Sequence, residues 1–99
     1  MVIKLKKEEK SVSIFMEGRL DSQTAPEVQD KLLAVVDQYE TIVIDAEKLT
    51  YVSSAGLRVF LMLQKRAVKT GSALSLIHMK PEIQEVFEMT GFSSIMNIL

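Results

Sequence analysis

Residues 42–45, Ile-Val-Ile-Asp, decide the fold class of this chain, because they form a short continuous apolar run that ends in a carboxylate. A run of this kind is typical of a strand buried on both faces, as in parallel sheets flanked by helices. A loop then leads to Ser53 and Ser54, where we expect a helix to begin, and this helix should end before Gly71. The order of strand, loop and helix predicts a β-α-β unit.

The segments on the N-terminal side of this unit extend the pattern. Residues 3–5 and residues 12–16 alternate in the way expected of half-buried strands, which predicts an N-terminal hairpin. Apolar residues at helical spacing then predict a helix over 25–39. We expect Thr24 to be its N-cap, with Glu27 at the spacing of a capping box.

The C-terminal segments complete the expected fold. Residues 73–77 predict another strand, Pro81 opens a third helix, and Gly91 closes it. Residues 95–99 fit either a short last helix or an edge strand. We therefore expect a single small α/β domain over residues 1–99. It should have a mixed β-sheet, an N-terminal hairpin, right-handed β-α-β units, and helices packed mainly on one face.

Length and composition exclude several classes of protein. The 99 residues suffice for one domain, and a hydrophobic content of 47% argues against disorder. The chain has no cysteine, which excludes disulfides and thiolate metal sites and agrees with a cytoplasmic location. A net charge of −1 offers no basic face for direct nucleic-acid binding. No apolar run approaches the ~18 residues that a membrane span needs.

Enzyme motifs are missing as well. The chain has no glycine-rich phosphate loop, and we expect no catalytic residue and no cofactor. His78 is the only histidine and stands near a strand end without a second ligand of matching type, so we expect a structural role and no metal site. Asp45 could be the phospho-acceptor of a response-regulator receiver domain, but the other acidic residues and the lysine of such a site are not in place. We therefore expect Asp45 to cap the turn that follows it.

The turn at residues 53–57, Ser-Ser-Ala-Gly-Leu, allows two interpretations. In the structural one, a serine is the N-cap of the helix, because serine is a preferred residue there. In the functional one, a phosphate on Ser53 or Ser54 would lie at the positive end of the helix dipole. Small side chains at Ala55 and Gly56 would let another protein's active site approach. Because glycine costs about 1 kcal/mol of helix propensity relative to alanine, Gly56 indicates a tight approach.

The helix after this turn carries apolar residues on two sides. The side that we expect to pack on the sheet holds Leu57, Phe60, Leu61 and Val68. At about 100° per residue, Val59, Met62 and Leu63 fall nearly opposite, where a surface helix should be polar. Either another element of the domain or a partner covers this second stripe, and Met62 favours a contact surface because methionine repacks easily.

Several segments, in order along nearly the whole chain, resemble the motifs of STAS domains, and among these the anti-sigma factor antagonists. Gly-Arg-Leu-Asp at 18–21 resembles the family's G-x-L-D corner. Residues 42–45 and 49–52 resemble its central strand and the segment that leads to the key turn. Ser-Ser-Ala-Gly-Leu at 53–57 resembles the D-S-[STA]-G-L signature, and residues 87–92 resemble the end of the C-terminal helix.

The resemblance implies a regulatory switch that works by partner exchange. The unphosphorylated antagonist binds an anti-sigma factor that is also an ATP-dependent serine kinase, and this frees a sigma factor. The kinase phosphorylates the serine that aligns with Ser54, binding weakens, and a metal-dependent serine phosphatase acts on the phosphorylated form to reset the protein.

One departure from the family pattern leaves an alternative open, because Ser53 replaces the acidic residue of the signature. The alternative is a non-switching STAS subunit of a lipid-transport ABC complex or of a stress-signalling scaffold. The resemblance also implies that Asp21 lies close to the turn, where its carboxylate either caps its own corner or contacts the kinase. The partner-binding residues that we expect are Asp21, Ser53, Ala55, Gly56, Val59, Met62 and Leu63.

Overall fold

Strands and helices alternate along the chain after an initial hairpin. A computed structural model describes all 99 residues. The strands are β1 (Val2–Lys7), β2 (Ser11–Leu20), β3 (Thr41–Val52), β4 (Ala73–Ile77) and β5 (Asn97–Ile98). The helices are α1 (Ala25–Val36), α2 (Ser54–Thr70) and α3 (Pro81–Met89), and a 3-10 turn follows at Phe92–Ser94.

The five strands form one mixed sheet in the order β1-β2-β3-β4-β5. β1 is antiparallel to β2, whereas all later neighbours are parallel. Because each parallel strand lies beside the preceding one and crossovers are right-handed, the three helices lie on one face of the sheet. The burial of β2 agrees, since Val12, Ile14 and Met16 are buried while Ser13 and Phe15 between them are half-buried. The expected fold class is confirmed.

The core lies between the sheet and the helices, and all of its buried side chains are apolar. Phe60 of α2 and Phe87 of α3 meet edge to face, with ring centroids 5.3 Å apart. Phe92 of the 3-10 turn meets Phe87 in the same manner at 6.3 Å. Aromatic pairs of this kind contribute about 0.5–1.5 kcal/mol beyond their buried area. Phe87 therefore joins α2, α3 and the C-terminal turn.

β3 differs from its prediction in two ways. Ile42 and Ile44 are buried against the helices, but Val43 between them is only half-buried, because no helix covers the other face of the sheet. The expectation of a strand buried on both faces is therefore wrong. β3 also continues through residues 46–52, where we expected a loop, because this segment stays paired with β2 as far as Val52.

The ends of two other elements also differ from their predictions. α1 ends at Val36 rather than at residue 39. Thr24 is its N-cap residue by position, but its side chain makes no capping bond and its hydroxyl instead donates to the Arg19 carbonyl oxygen at 2.9 Å. At the C-terminus the edge strand is the correct alternative, since residues 97–98 pair with β4.

Candidate functional site

The start of α2 lies beside the corner that follows β2. Leu20 and Val52 pair at the ends of β2 and β3. The Ser53 N–H donates to the Leu20 carbonyl oxygen at 3.0 Å, which extends this contact by one residue. The corner at residues 21–24 and the turn at residues 53–57 are therefore neighbours at one edge of the sheet.

Ser53 is the N-cap of α2. Its backbone is extended, with φ −88° and ψ 177°, and its Oγ accepts a hydrogen bond from the Gly56 N–H at 3.2 Å. Its carbonyl oxygen accepts the first intrahelical bond, from the Leu57 N–H at 2.9 Å. The half-buried Ser53 hydroxyl is thus committed to the helix end, as the structural interpretation of the turn predicts.

Ser54 has a different environment, although it is the next residue. It is the first residue of α2 and is exposed, and its hydroxyl has no hydrogen-bond partner in the protein. The first turn of α2 contains no acidic residue. Because the N–H groups of a first helical turn lack intrahelical acceptors and the dipole is positive there, this position favours an added anion.

A shallow groove runs from this turn towards the first turns of α1. It has a volume of about 330 Å³. Its lining residues are Ser22, Ala25, Pro26, Gln29, Asp30, Ala55 and Arg58. Ala55 is half-buried in the groove wall, where its small side chain keeps the approach to Ser54 open. The groove ends beside the Ser54 turn, and Ser54 itself is exposed next to it rather than lining it.

Gly56 serves internal packing rather than partner contact. It is buried, and a Cβ atom at this position would lie 2.6 Å from the Leu20 carbonyl oxygen and 3.0 Å from a Val52 side-chain carbon. The tight approach that its presence indicates is that of α2 to the end of β2. The expectation that Gly56 binds a partner is therefore wrong.

The Asp21 carboxylate holds the corner before α1. Its Oδ1 accepts hydrogen bonds from the N–H groups of Gln23 at 3.0 Å and Thr24 at 3.2 Å. The bonds from the backbone of Thr24 and then of Gln23 hold the pKa of Asp21 below its ordinary value, and the charge of Arg19 adds to this. The capping role of Asp21 is confirmed, and its predicted contact with a kinase stays a prediction.

Arg19 and Tyr51 are two exposed residues at this edge that no sequence pattern identifies as part of the site. The Arg19 guanidinium lies 4.1 Å from the centroid of the Tyr51 ring, and its Nε is 3.7 Å from Asp21 Oδ2. The register of β2 and β3 places Arg19 opposite Tyr51. The two residues meet only because the ends of β2 and β3 pair in this register. The register cannot be read from the sequence, so the sequence does not predict the contact.

The second stripe of α2 is mostly core. Val59 and Leu63 are 1% and 0% exposed, whereas Met62 is 39% exposed. α2 packs against α1 as well as against the sheet, so it buries a wider arc than one sheet-facing stripe. The expectation that Val59 and Leu63 contact a partner is therefore wrong. Val68, which we expected to face the sheet, is 70% exposed.

The end of β4 brings together residues that are distant in the sequence. Asp45 Oδ1 accepts the Glu47 N–H at 3.0 Å, which confirms the predicted bond to a nearby backbone N–H, but β3 continues here and the predicted turn is absent. His78 follows β4 and places its Nδ1 3.0 Å from Asp45 Oδ2. Potential ligand atoms of Asp45, Glu47 and His78 lie within 4.8 Å of one another. The expectation that His78 has no ligand-type neighbour is therefore corrected.

Solved structures of other proteins share this fold. SpoIIAA, an anti-sigma factor antagonist, in its unphosphorylated form has a TM-score of 0.83 at 20% identity, over 99% of this chain and 88% of that one. The phosphorylated form of SpoIIAA gives 0.77 at 20% identity, over 99% and 91%. The Thermotoga maritima protein TM1081 gives 0.89 at 16% identity, over 97% and 84%. At these identities the likeness shows the fold.

Relatives with higher sequence identity identify the family to which this chain is related. BtrV of Bordetella bronchiseptica, named as an anti-sigma factor antagonist, is 41% identical over 81 residues, which cover 81% of this chain and 70% of BtrV. The anti-sigma-B factor antagonist of Listeria monocytogenes is 36% identical over 89 residues, covering 88% and 77%. Relatives of this kind are regulatory binding proteins, so the expectation that the chain is not an enzyme is confirmed.

The family model described as "Mlab, STAS domain" matches residues 3–98, almost the whole chain. No helix has both the length and the apolar character needed to cross a membrane. The match over the full domain, the shared fold and the named relatives agree with the motifs around Ser54. The chain therefore belongs to the STAS domain family, in its anti-sigma factor antagonist branch.

Proposed function

We propose that the unphosphorylated chain binds an anti-sigma factor serine kinase in the cytoplasm and thereby releases a sigma factor. Phosphorylation of Ser54 by this kinase weakens the complex. A serine phosphatase that acts on the phosphorylated form restores binding. The names of the relatives support antagonism of an anti-sigma factor, and the geometry of the α2 turn supports the site of the switch.

The observation that carries this proposal is the difference between the two adjacent serines. The Ser53 hydroxyl is bonded to the Gly56 N–H, whereas the Ser54 hydroxyl is exposed and free. A kinase needs an accessible hydroxyl that can turn towards the γ-phosphate of ATP. Ser54 meets this requirement without breaking a hydrogen bond of the folded protein, and Ser53 does not.

The same contact explains why the departure at Ser53 is compatible with a switch. Serine and aspartate are both among the preferred N-cap residues, since each offers a side-chain oxygen to the N–H groups of the first turn. Ser53 in place of the acidic residue of the signature therefore keeps the helix start in place. The position and exposure of Ser54 do not depend on a negative charge at residue 53.

The partner surface that we propose surrounds Ser54 on the exposed side of the turn. It includes Ala55 in the groove wall, the rim of Ser53, Asp21 at the neighbouring corner and the exposed part of Met62. Gly56 and the buried residues of α2 act from inside, by fixing the position of the helix. An exposed hydroxyl beside a shallow groove and the small side chain of Ala55 suits docking of a kinase whose active site must reach that hydroxyl.

Phosphorylation should act at the interface rather than on the fold. It adds about −1.5 to −2 charges at the N-terminus of α2. The helix dipole favours such a charge by roughly 0.3–1 kcal/mol. A partner site that holds nucleotide phosphates presents like charge, and this juxtaposition costs on the order of several kcal/mol. The repulsion outweighs the local gain, so affinity falls while the fold persists.

Calorimetric titration with the anti-sigma factor kinase of the same organism tests the switch. We expect the phosphorylated protein to bind at least about 100-fold more weakly than the unphosphorylated protein, with an unchanged circular dichroism spectrum. Ser54→Asp should show part of this loss, and Ser54→Ala should bind like the unmodified protein. Equal affinities of the two phosphorylation states would contradict the proposal.

A non-switching subunit of a lipid-transport ABC complex or of a stress-signalling scaffold is the second candidate function. The description of the matching family model, which joins the name Mlab to the STAS domain, favours it. Such a subunit should keep its mass after incubation with kinases and ATP. Neighbouring genes also separate the two functions, because a histidine-kinase-like ATPase gene favours the switch and transporter genes favour the subunit.

A further inference from the structure

The face of the sheet opposite the helices carries a second cluster of functional groups, where β4 ends beside β3. Asp45 pairs with Ile77, the last residue of β4, so His78 emerges directly next to the Asp45 side chain. β3 continues past this point, and Glu47 follows two residues after Asp45. Strand order and register thus gather two carboxylates and the only imidazole of the chain at one corner.

We propose that Asp45, Glu47 and His78 bind a divalent transition-metal ion of the zinc type. The proposal is independent of the switch at Ser54. Imidazole and carboxylate groups are ordinary ligands of Zn²⁺ and of its first-row neighbours. The three residues offer two kinds of donor from two strand ends, and the ligand atoms already lie within 4.8 Å of one another.

The contact between His78 and Asp45 has the spacing of two ligands on one metal. A metal with bonds of about 2.0–2.1 Å holds neighbouring ligand atoms roughly 3.0–3.4 Å apart. His78 Nδ1 and Asp45 Oδ2 are 3.0 Å apart. An ion can therefore take the place of the shared proton with little movement of either side chain. Glu47 is exposed and its carboxylate has no hydrogen-bond partner, so it is free to turn towards the ion.

The lysines around the neighbouring cavity pair with neither carboxylate of the cluster. A cavity of about 240 Å³ opens beside the cluster, and Asp45 and Glu47 line it together with Lys4, Lys48 and Glu17. Both lysines are bound to Glu17, at 3.3 Å and 3.4 Å. The Asp45 and Glu47 carboxylates therefore have no lysine partner, and His78 is the only ionisable group bonded to either of them, so a bound cation would find two carboxylates that no lysine occupies.

The metal site and the phosphorylation turn are separate. β3 runs from Asp45 to Val52 before α2 begins. At about 3.3 Å per residue this strand segment spans roughly 20–25 Å. Metal binding should therefore leave the reaction of Ser54 unchanged, and failure of either proposal would leave the other intact.

Titration of the untagged protein with ZnCl₂ tests the inference, with binding followed by calorimetry and by the imidazole ¹⁵N signals. Because His78 is the only histidine, every imidazole signal belongs to one residue. We expect saturable binding of one ion, a shift of the Nδ1 resonance, and reversal by EDTA. Asp45→Asn and His78→Asn should each lose at least about tenfold in affinity, and Glu47→Gln should lose less.

The His78 variant is chosen to suit the backbone conformation at that position, and a second variant outside the cluster is the control. His78 has φ +58°, a left-handed conformation that asparagine also tolerates, so His78→Asn should fold. Asp30→Asn removes an exposed carboxylate outside the cluster and should bind Zn²⁺ like the unmodified protein. Imidazole signals that do not move at up to about 1 mM Zn²⁺ would overturn the inference, as would equal affinity in His78→Asn. The first of these results needs no variant, so it decides even where a variant is unstable.

Discussion

The corners before α1 and α2 meet the same need with different residues. Each must bond the first N–H groups of a helix that starts at the end of a parallel strand. Before α1, Asp21 accepts from the Thr24 N–H, and the Thr24 hydroxyl donates back to the Arg19 carbonyl oxygen. Before α2, one hydroxyl suffices, since Ser53 Oγ accepts from the Gly56 N–H.

The two corners differ in where their unbonded hydroxyl group lies. At the first corner, the carboxylate of Asp21 and the hydroxyl of Thr24 are both bonded within the protein, and the unbonded hydroxyl of Ser22 lies before the helix rather than in its first turn. At the second corner, Ser53 alone completes the helix start, and the adjacent hydroxyl of Ser54 stays free. A capped turn that carries an extra exposed hydroxyl can be modified without loss of its fold.

Among changes at the two corners, Gly56→Ala should have the largest effect on stability, because the second corner depends on close approach of α2 to β2. The added Cβ would lie 2.6 Å from the Leu20 carbonyl oxygen, so backbone must move. We expect a loss of about 2–3 kcal/mol in the free energy of unfolding, measured by urea denaturation. Gly71→Ala is the control: its Cβ would meet open space, so only its φ of +77° costs about 1–2 kcal/mol. A Gly56→Ala protein as stable as the unmodified one would contradict the packing account.

Asp21→Ala should destabilise the first corner more than Asp21→Asn does. Alanine removes the acceptor of the Gln23 and Thr24 N–H groups, whereas asparagine keeps a side-chain oxygen for them. We expect the melting temperature to fall clearly in Asp21→Ala and only slightly in Asp21→Asn. Equal melting temperatures of the two variants would show that these hydrogen bonds do not hold the corner.

Acid should remove the contribution of the Asp21 carboxylate to stability. A comparison of the unmodified protein with Asp21→Asn isolates this contribution. The pKa of Asp21 is lowered in the folded protein, so its carboxylate stabilises the fold above the pKa of the unfolded chain, about 4. This stability is lost as the pH falls through the lower folded pKa. We expect the difference in melting temperature between the unmodified protein and Asp21→Asn to shrink below about pH 4. Because Glu17 also has a lowered pKa, only the difference between the two proteins reports on Asp21.

Ser53→Ala should have a smaller effect on stability than Gly56→Ala or Asp21→Ala. It removes one capping bond, which typically costs about 1 kcal/mol. Ser53→Asp restores the acidic residue of the family signature, keeps a capping oxygen, and should be as stable as the unmodified protein. Urea denaturation measures both variants. A loss in Ser53→Asp as large as that in Ser53→Ala would show that Ser53 is not the cap.

Met62→Asp should have the smallest effect on the fold. Met62 is 39% exposed, so an aspartate can reach water, and we expect a loss below about 1 kcal/mol. Its affinity for the kinase partner should fall if Met62 lies in the interface. Leu63→Asp is the contrasting variant, because it places a charge in the core and should unfold the domain. Unchanged partner affinity in Met62→Asp would remove Met62 from the proposed surface.

The sequence predicts the strands and helices better than it predicts which of their faces are buried by other parts of the protein. The alternation in residues 12–16 and the helical spacing after Ser54 are local, and both elements are present. Whether Val59 and Leu63 face water depends on α1 packing against α2, which a helical projection does not include. Periodicity alone therefore assigns a second apolar stripe to the wrong environment.

The contacts at the ends of strands require the register, which no local pattern supplies. Asp45 and His78 meet because Asp45 pairs with Ile77. Arg19 and Tyr51 meet because a shift in the β2–β3 pairing sets them opposite each other. The polar residues among 46–52 indicate a loop in the sequence, yet they continue β3, since one face of the sheet is open to solvent.

Phosphopeptide mapping after reaction with the cognate kinase and ATP tests the central claim most directly. The claim is that Ser53 caps α2 and Ser54 accepts the phosphate. We predict a single phosphate on Ser54 in the unmodified protein and in Ser53→Ala, and none in Ser54→Ala. Phosphate on Ser53, or on neither serine, would contradict the account.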